Sequence, residues 1–129
     1  MSRTPLSSPT ASAVGPYSHG IDDGRYVFCS GQTPIDPATG ELHAGGVDAQ
    51  THQCFDHLFS VLADGGLGPD DVIKVNVYLR DMADFPAMNA AYQSRFQAPY
   101  PARTTIGVSG LPLDAQVEIE LIARRDGSP

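Results

Sequence analysis

Arg103 follows the rigid lead-in Tyr100-Pro101-Ala102 and opens the alternating stretch RTTIGV. A guanidinium presents a planar fork of donors that matches a carboxylate, so a half-buried arginine at a strand start suits the anchoring of a small acid. An internal ion pair with Glu118 or Glu120 would use the same side chain without any ligand, and position alone leaves both readings open. Glu118 and Glu120 stand two apart in VEIELIA and therefore share one strand face. A carboxylate there, set against apolar walls and a cation, could orient water or carry a proton. As ordinary surface charges the pair would only be solvated. Glycosidases also use paired carboxylates, but on opposite sides of a sugar rather than in line on one strand.

The other reactive residue types form no comparable set. His19, His43, His52 and His57 lack metal-ligand spacing, and His52 and His57 do not share a helix face, so no metal is expected. Cys29 falls in a strand-like run and Cys54 in a helical stripe. Both read as small buried hydrophobes, and the sequence points to no base that would activate either thiol. Ser30-Gly31-Gln32 could offer backbone N–H groups to an anion but lacks the GxxxxGK pattern of a phosphate loop, so nucleotide binding is unsupported.

The elements that must position these residues are legible from periodicity. RYVFCS is aromatic and β-branched between Asp-Asp-Gly and Gly-Gln, which predicts a strand; TPIDPATGEL, broken by prolines and Gly40, predicts a turn. From Asp48 to Asp64, the residues Thr51, Phe55, Leu58 and Leu62 recur at helical spacing, with Cys54 and Val61 widening the stripe and Gly65-Gly66 ending it. In VIKVNVYL, Ile73, Val75, Val77 and Leu79 alternate with Val72, Lys74, Asn76 and Tyr78, a strand with one buried face. Asp84 is placed to cap a second helix with Phe85, Met88, Tyr92 and Phe96 on one side and Pro86 in its first turn. RTTIGV and VEIELIA are the last two strands. Met1 to Ala13 reads as an extended arm that adds little to the core.

The order β, β, α, β, α, β, β predicts an α+β fold, one mixed sheet with two helices on a single face. The apolar sets Thr104, Ile106, Val108 and Val117, Ile119, Leu121, Ala123 are expected to meet the helices. Arg103, Thr105, Glu118 and Glu120 are then expected together on the second face. Half polar and half apolar, that face suits a subunit interface enclosing a site, so a homo-oligomer is expected.

At 129 residues the chain suits one domain spanning 1–129. Its 41 % hydrophobic and 18 % charged residues are ordinary for a folded protein. A net charge of −7 opposes binding to phosphate backbones. Two cysteines without a CxxC pair and no signal-like N-terminus point to the cytoplasm, and no apolar run is long enough to span a membrane.

Several segments in series resemble the RidA/YjgF family of reactive enamine and imine deaminases: GPYSHGI, CSGQTPIDPATGEL, VIKVNVYLRDMADFPAMNAAY, PARTTIGV and LPLDAQVEIELIA, which together cover nearly the whole chain. The resemblance implies a chorismate-mutase-like homotrimer with a site in each intersubunit cleft. It implies hydrolysis of 2-aminoacrylate-type enamines and imines to 2-keto acids and ammonia, without metal or organic cofactor. Carried over by position, Arg103 would pair with the substrate carboxylate and Glu118 would orient water or transfer a proton. Thr105 stands where many members have Cys, and its backbone would contact the substrate nitrogen or water. Tyr17, Ser30, Gly31 and Asn89 would line the cleft. Three departures stand out: Thr105 itself, a short segment between Tyr92 and Pro101, and His57 where a helix Asn is frequent, altering an N-terminal or interface contact. Parts of the family are also linked to RNA cleavage or translation inhibition, and a non-catalytic small-acid-binding trimer is a third reading.

Overall fold

In the computed structural model, residues 3–11 and 15–126 are described. The strands are β1 (Thr4–Leu6), β2 (Gly20–Asp22), β3 (Tyr26–Gln32), β4 (Val72–Leu79), β5 (Ala102–Gly107) and β6 (Val117–Arg124). The helices are α1 (Val47–Asp64) and α2 (Phe85–Gln93). They form one mixed sheet ordered β1-β2-β3-β6-β4-β5. Among the described residues only β4 and β5 pair in parallel, and α2 supplies the crossover that parallel neighbours need.

α1 carries the core. Thr51, Cys54, Phe55, Leu58, Val61 and Leu62 are fully buried against Val27, Val75, Val77, Ile119 and Leu121 of the sheet. Burying each such aliphatic or aromatic side chain contributes roughly 1.5–3 kcal/mol. Gly66, at φ +76°, takes the left-handed conformation just past the helix end. Phe55, Phe59, Tyr92 and Phe96 interlock by edge and face, with centroids 5.1 to 5.8 Å apart, and weld α2 to α1. Phe96 lies beyond the end of α2 yet still enters this cluster.

Four expectations are corrected. Asp84 does not cap α2: its backbone is already helical, and Asp81 instead accepts from the Ala83 N–H (2.9 Å) in the short turn before the helix. Ile73 points away from the core, because a bulge between Val72 and Lys74 puts Val72 on the buried face with Val75, Val77 and Leu79. The arm is not peripheral: Thr4–Leu6 is the edge strand, and Leu6, 6 % exposed, fills a socket where a Cβ on Gly65 would come within 2.9 Å of it. Ser8 bonds Ser60 (2.7 Å), and Thr10 meets His57 Nδ1 (3.0 Å), so the His57 departure is spent on holding the arm. Residues 1, 2, 12 and 13 of the expected arm lie outside those described.

The fourth correction concerns β5. Arg103 pairs with Val75 and Thr105 with Val77, both on the helix-covered face of β4, while Thr104 and Ile106 align with Asn76 and Tyr78 on the open face. The faces of β5 are therefore reversed from expectation. At the sheet edge the helices cover little, so apolarity no longer marks the inner side; Ile106 is 45 % exposed.

Candidate functional site

Arg103 rises from β5 toward α2. Its Nη1 donates to Asn89 Oδ1 (2.8 Å), and its guanidinium carbon lies 4.6 Å from the Tyr92 ring centroid and 5.5 Å from that of Phe85. Two rings and one amide thus fix the plane of the fork while leaving most of its N–H groups available. Phe85, Asn89 and Tyr92 are spaced i, i+4, i+7, so one flank of α2 presents all three. Arg103 enters no ion pair among the described residues. The internal pairing with Glu118 or Glu120 is thereby excluded within the chain. A cleft of about 370 Å³ opens beside the guanidinium, lined by Asn89, Tyr92, Gln93, Tyr100, Pro101 and Arg103. The Tyr92 hydroxyl and Thr105 Oγ1 are buried without a hydrogen-bond partner among the described residues. Burial raises the Tyr92 phenol above its usual value, opposed by Arg103.

Glu118 is elsewhere. Tyr78 faces Glu118 and Asn76 faces Glu120 across the β4–β6 ladder, on the open side of the sheet. The carboxylate of Glu118 rests over Gly31, where any Cβ would collide with it. Burial and then Glu120 raise its pKa above the ordinary carboxylate range, against a hydrogen bond with Thr33. Glu120 is itself held by Asn76 Nδ2 (3.1 Å) and by a short bond from the Tyr78 hydroxyl, which pushes Tyr78 up to about 12. Ser30 donates through Oγ to the Ser18 carbonyl (2.6 Å), and Tyr17, 45 % exposed, stands nearby on the loop before β2.

The expected residues therefore assemble as two groups on opposite faces: Arg103, Asn89 and Thr105 on one, and Glu118, Gly31 and Ser30 on the other, with Tyr17 on the adjoining loop. Arg103 and Glu118 of the same chain do not share a cleft. Cys29 and Cys54 are both buried, and burial raises Cys29 to about 12 and Cys54 well above the ordinary thiol value, so neither supplies a thiolate.

Residues 7–125 match the family model described as endoribonuclease L-PSP. The chain belongs to this family, that of RidA and YjgF. A RutC family protein of Pyrococcus horikoshii is 45 % identical over 113 residues, covering 88 % of this chain and 90 % of the relative. The 2-iminobutanoate/2-iminopropanoate deaminase of Escherichia coli K12 is 39 % identical over 97 % of this chain and 99 % of its own. The crystal structure of E. coli TdcF with bound serine superposes with a TM-score of 0.89 at 36 % identity, covering 95 % of this chain and 99 % of that one. The family relationship thus spans essentially the whole length.

Sequence reasoning placed Tyr92 and Phe85 only in the core stripe of α2 and missed their second role behind Arg103. The available signal was their spacing with Asn89. His19, which bonds Gln32, and Thr33, which bonds Glu118, carried no local signal, because these pairings join residues distant in the chain.

Proposed function

We propose that this protein is a hydrolytic deaminase of 2-imino and 2-enamino acids, working as a homotrimer in which Arg103 of one copy meets Glu118 of the next. The observation that carries the reading is Arg103: a cation stacked and aimed beside an open cleft, with no ion pair among the described residues, in a chain of net charge −7. Such a group selects a small carboxylate rather than a polyanion. The deaminase name of relatives near 40 % identity and the serine in a structural neighbour agree with it. RNA cleavage, which the family description names, would call for a basic surface, and a net charge of −7 counts against it.

The steps follow from the two groups. Arg103 binds the carboxylate through its fork, with Asn89 and Tyr92 keeping the plane fixed. The enamine tautomerises to the imine, placing an electrophilic carbon beside the carboxylate. Glu118, as carboxylate, takes a proton from water as the water oxygen bonds to that carbon. It returns that proton to the nitrogen to give a carbinolamine, then relays the hydroxyl proton to the same nitrogen as the carbonyl forms and the C–N bond breaks, so ammonia leaves and the 2-keto acid remains. Hydrolysis is already downhill in water, so holding imine and water in contact supplies much of the acceleration. The backbone of Thr105 and the residues Tyr17, Ser30 and Gly31 complete the walls. The open face supports assembly: Phe28, Ile73 and Ile106 are apolar yet 37 to 47 % exposed, which fits burial against neighbouring copies. Buried, unpaired thiols suit a reducing cytoplasm.

The test is complementation. Arg103→Ala and Glu118→Gln chains are each expected to be inactive on imines generated in place. Unfolded and refolded together in equal amounts, they form a statistical set of trimers in which about a quarter of all interfaces pair an intact Arg103 with an intact Glu118. Recovery of roughly that fraction of parental keto acid production is expected. If the mixture stays as inactive as its parts while remaining trimeric, the composite site is wrong.

A further inference from the structure

His19 takes no part in the chemistry above, yet it sits behind the Glu118 group. It is buried, 7 % exposed, on the loop entering β2. Its Nδ1 lies 3.0 Å from Gln32 Nε2. An amide NH₂ can only donate, so Nδ1 accepts and Nε2 carries the proton. Burial lowers the pKa of this imidazole, the Ala11 backbone opposing and His57 adding, which favours the neutral ring with Nδ1 as acceptor. The main chain of the same loop grips the other side of the bulge: Ser30 N–H donates to the His19 carbonyl (2.8 Å) and Ser30 Oγ to the Ser18 carbonyl (2.6 Å). Gln32 is held again through its carbonyl, which accepts from Cys54 Sγ at 3.2 Å.

Gly31 lies between these two anchored residues, in the interval where the β3–β6 register shifts between Cys29 and Gln32. It is there that Glu118 rests, close enough that a Cβ on Gly31 would stand 3.2 Å from its carboxyl carbon. The Tyr17 ring meets the His19 ring edge-on, with centroids 6.0 Å apart and planes at 89°. One imidazole therefore braces both the bulge under the carboxylate and the tyrosine on the adjoining loop.

We propose that His19 is a positioning residue for the hydrolytic step: it fixes the Ser30–Gln32 bulge on which the Glu118 carboxylate rests, and Tyr17 beside it. The inference rests on the deaminase reading for its kinetic consequence but not for its structural one. Removing the Nδ1 acceptor frees Gln32 and lets the bulge move, so Glu118 loses its fixed seat while Arg103, on the opposite sheet face, is untouched.

The experiment compares His19→Ala, His19→Asn and Gln32→Met in the full-length protein. Asn Oδ1 can stand where Nδ1 stood and accept the same amide hydrogen; Gln32→Met removes that hydrogen bond from the other side. Kinetics on imines generated in place should show kcat about tenfold lower for His19→Ala and Gln32→Met, with KM and inhibition by a 2-keto acid unchanged, and near-parental kcat for His19→Asn. The Glu118 carboxyl resonance, followed by ¹³C NMR against pH, should titrate lower in His19→Ala and Gln32→Met as the group becomes more solvated, and return toward the parental midpoint in His19→Asn. Parental kcat and an unmoved Glu118 titration in either disrupting variant, or no recovery in His19→Asn, would overturn the proposal. The carboxyl titration reads the positioning without any substrate, so an inactive parent would count against the deaminase reading alone.

Discussion

Replacing Arg103 by Lys keeps the charge and removes the fork. In the complex, the guanidinium can give a carboxylate two parallel hydrogen bonds, each charge-assisted contact being worth about 1.5–3 kcal/mol. Lysine retains one such bond and the Coulombic attraction. It loses the second bond and the planar stacking on Tyr92, 4.6 Å away, which is worth about 0.5–1 kcal/mol at a partly exposed site. The loss comes to about 2–4 kcal/mol, or roughly 30- to 1,000-fold in kcat/KM at about 1.4 kcal/mol per decade. The carboxylate is bound alike in ground and transition states, so most of the change should fall on KM. Arg103 makes one side-chain hydrogen bond, to Asn89, stacks on Tyr92 and enters no ion pair among the described residues, so the unfolding free energy should fall by about 1–3 kcal/mol. The assay generates 2-aminoacrylate with a dehydratase and follows keto acid through a coupled reductase, with thermal melts alongside. A folded, assembled Arg103→Lys enzyme with parental kcat/KM would refute bidentate anchoring by this residue.

Other predictions test neighbouring links. Gly31→Ala places a methyl group against the Glu118 carboxylate, so kcat should fall at least tenfold while keto acid inhibition, which reads Arg103, is unaltered; a parental kcat would show that the carboxylate does not work from this seat. Burial and Glu120 hold the Glu118 pKa above its unfolded value, so the folded chain binds that proton more tightly than the unfolded chain does. Stability contributed by that proton is lost as pH rises through the folded value, and above that window Glu118→Gln should melt higher than the parent; calorimetry at pH 8 giving an equal or lower Tm would contradict the sign. The same shift places the acid limb of the kcat/KM profile above the ordinary carboxylate range, and Glu120→Gln should move it down. Phe55→Ala should cost about 3–5 kcal/mol in chemical denaturation and also raise KM, because Phe55 supports the Tyr92 ring behind Arg103. A cost under about 1 kcal/mol would mean that the aromatic cluster is not what joins α2 to α1.

The amino-acid sequence by itself determined both helices and strands β3 to β6, because their periodicities are local. The stripe Thr51, Phe55, Leu58, Leu62 can be buried only by a helix, and Val117, Ile119, Leu121, Ala123 only by a strand with one covered face; both are fully or almost fully buried. The family was legible for a related reason: motifs such as PARTTIGV retain residue order whatever the rest of the fold does. Facing was another matter. A single bulge at Val72–Lys74 turned Ile73 outward, and the parallel register of β5 on β4 put Arg103 on the helix side, where alternation in RTTIGV pointed the other way. Leu6 joined the core only because Gly20 and Gly65, distant in sequence, leave a socket for it. The separation of Arg103 from Glu118 onto opposite faces is likewise a fact of pairing between β4, β5 and β6, and it rules out an ion pair between them within the chain. Periodicity records how a segment meets its own neighbours along the chain; which surface lies across from it is set by register between residues 28 to 51 positions apart, and only the assembled sheet holds that information.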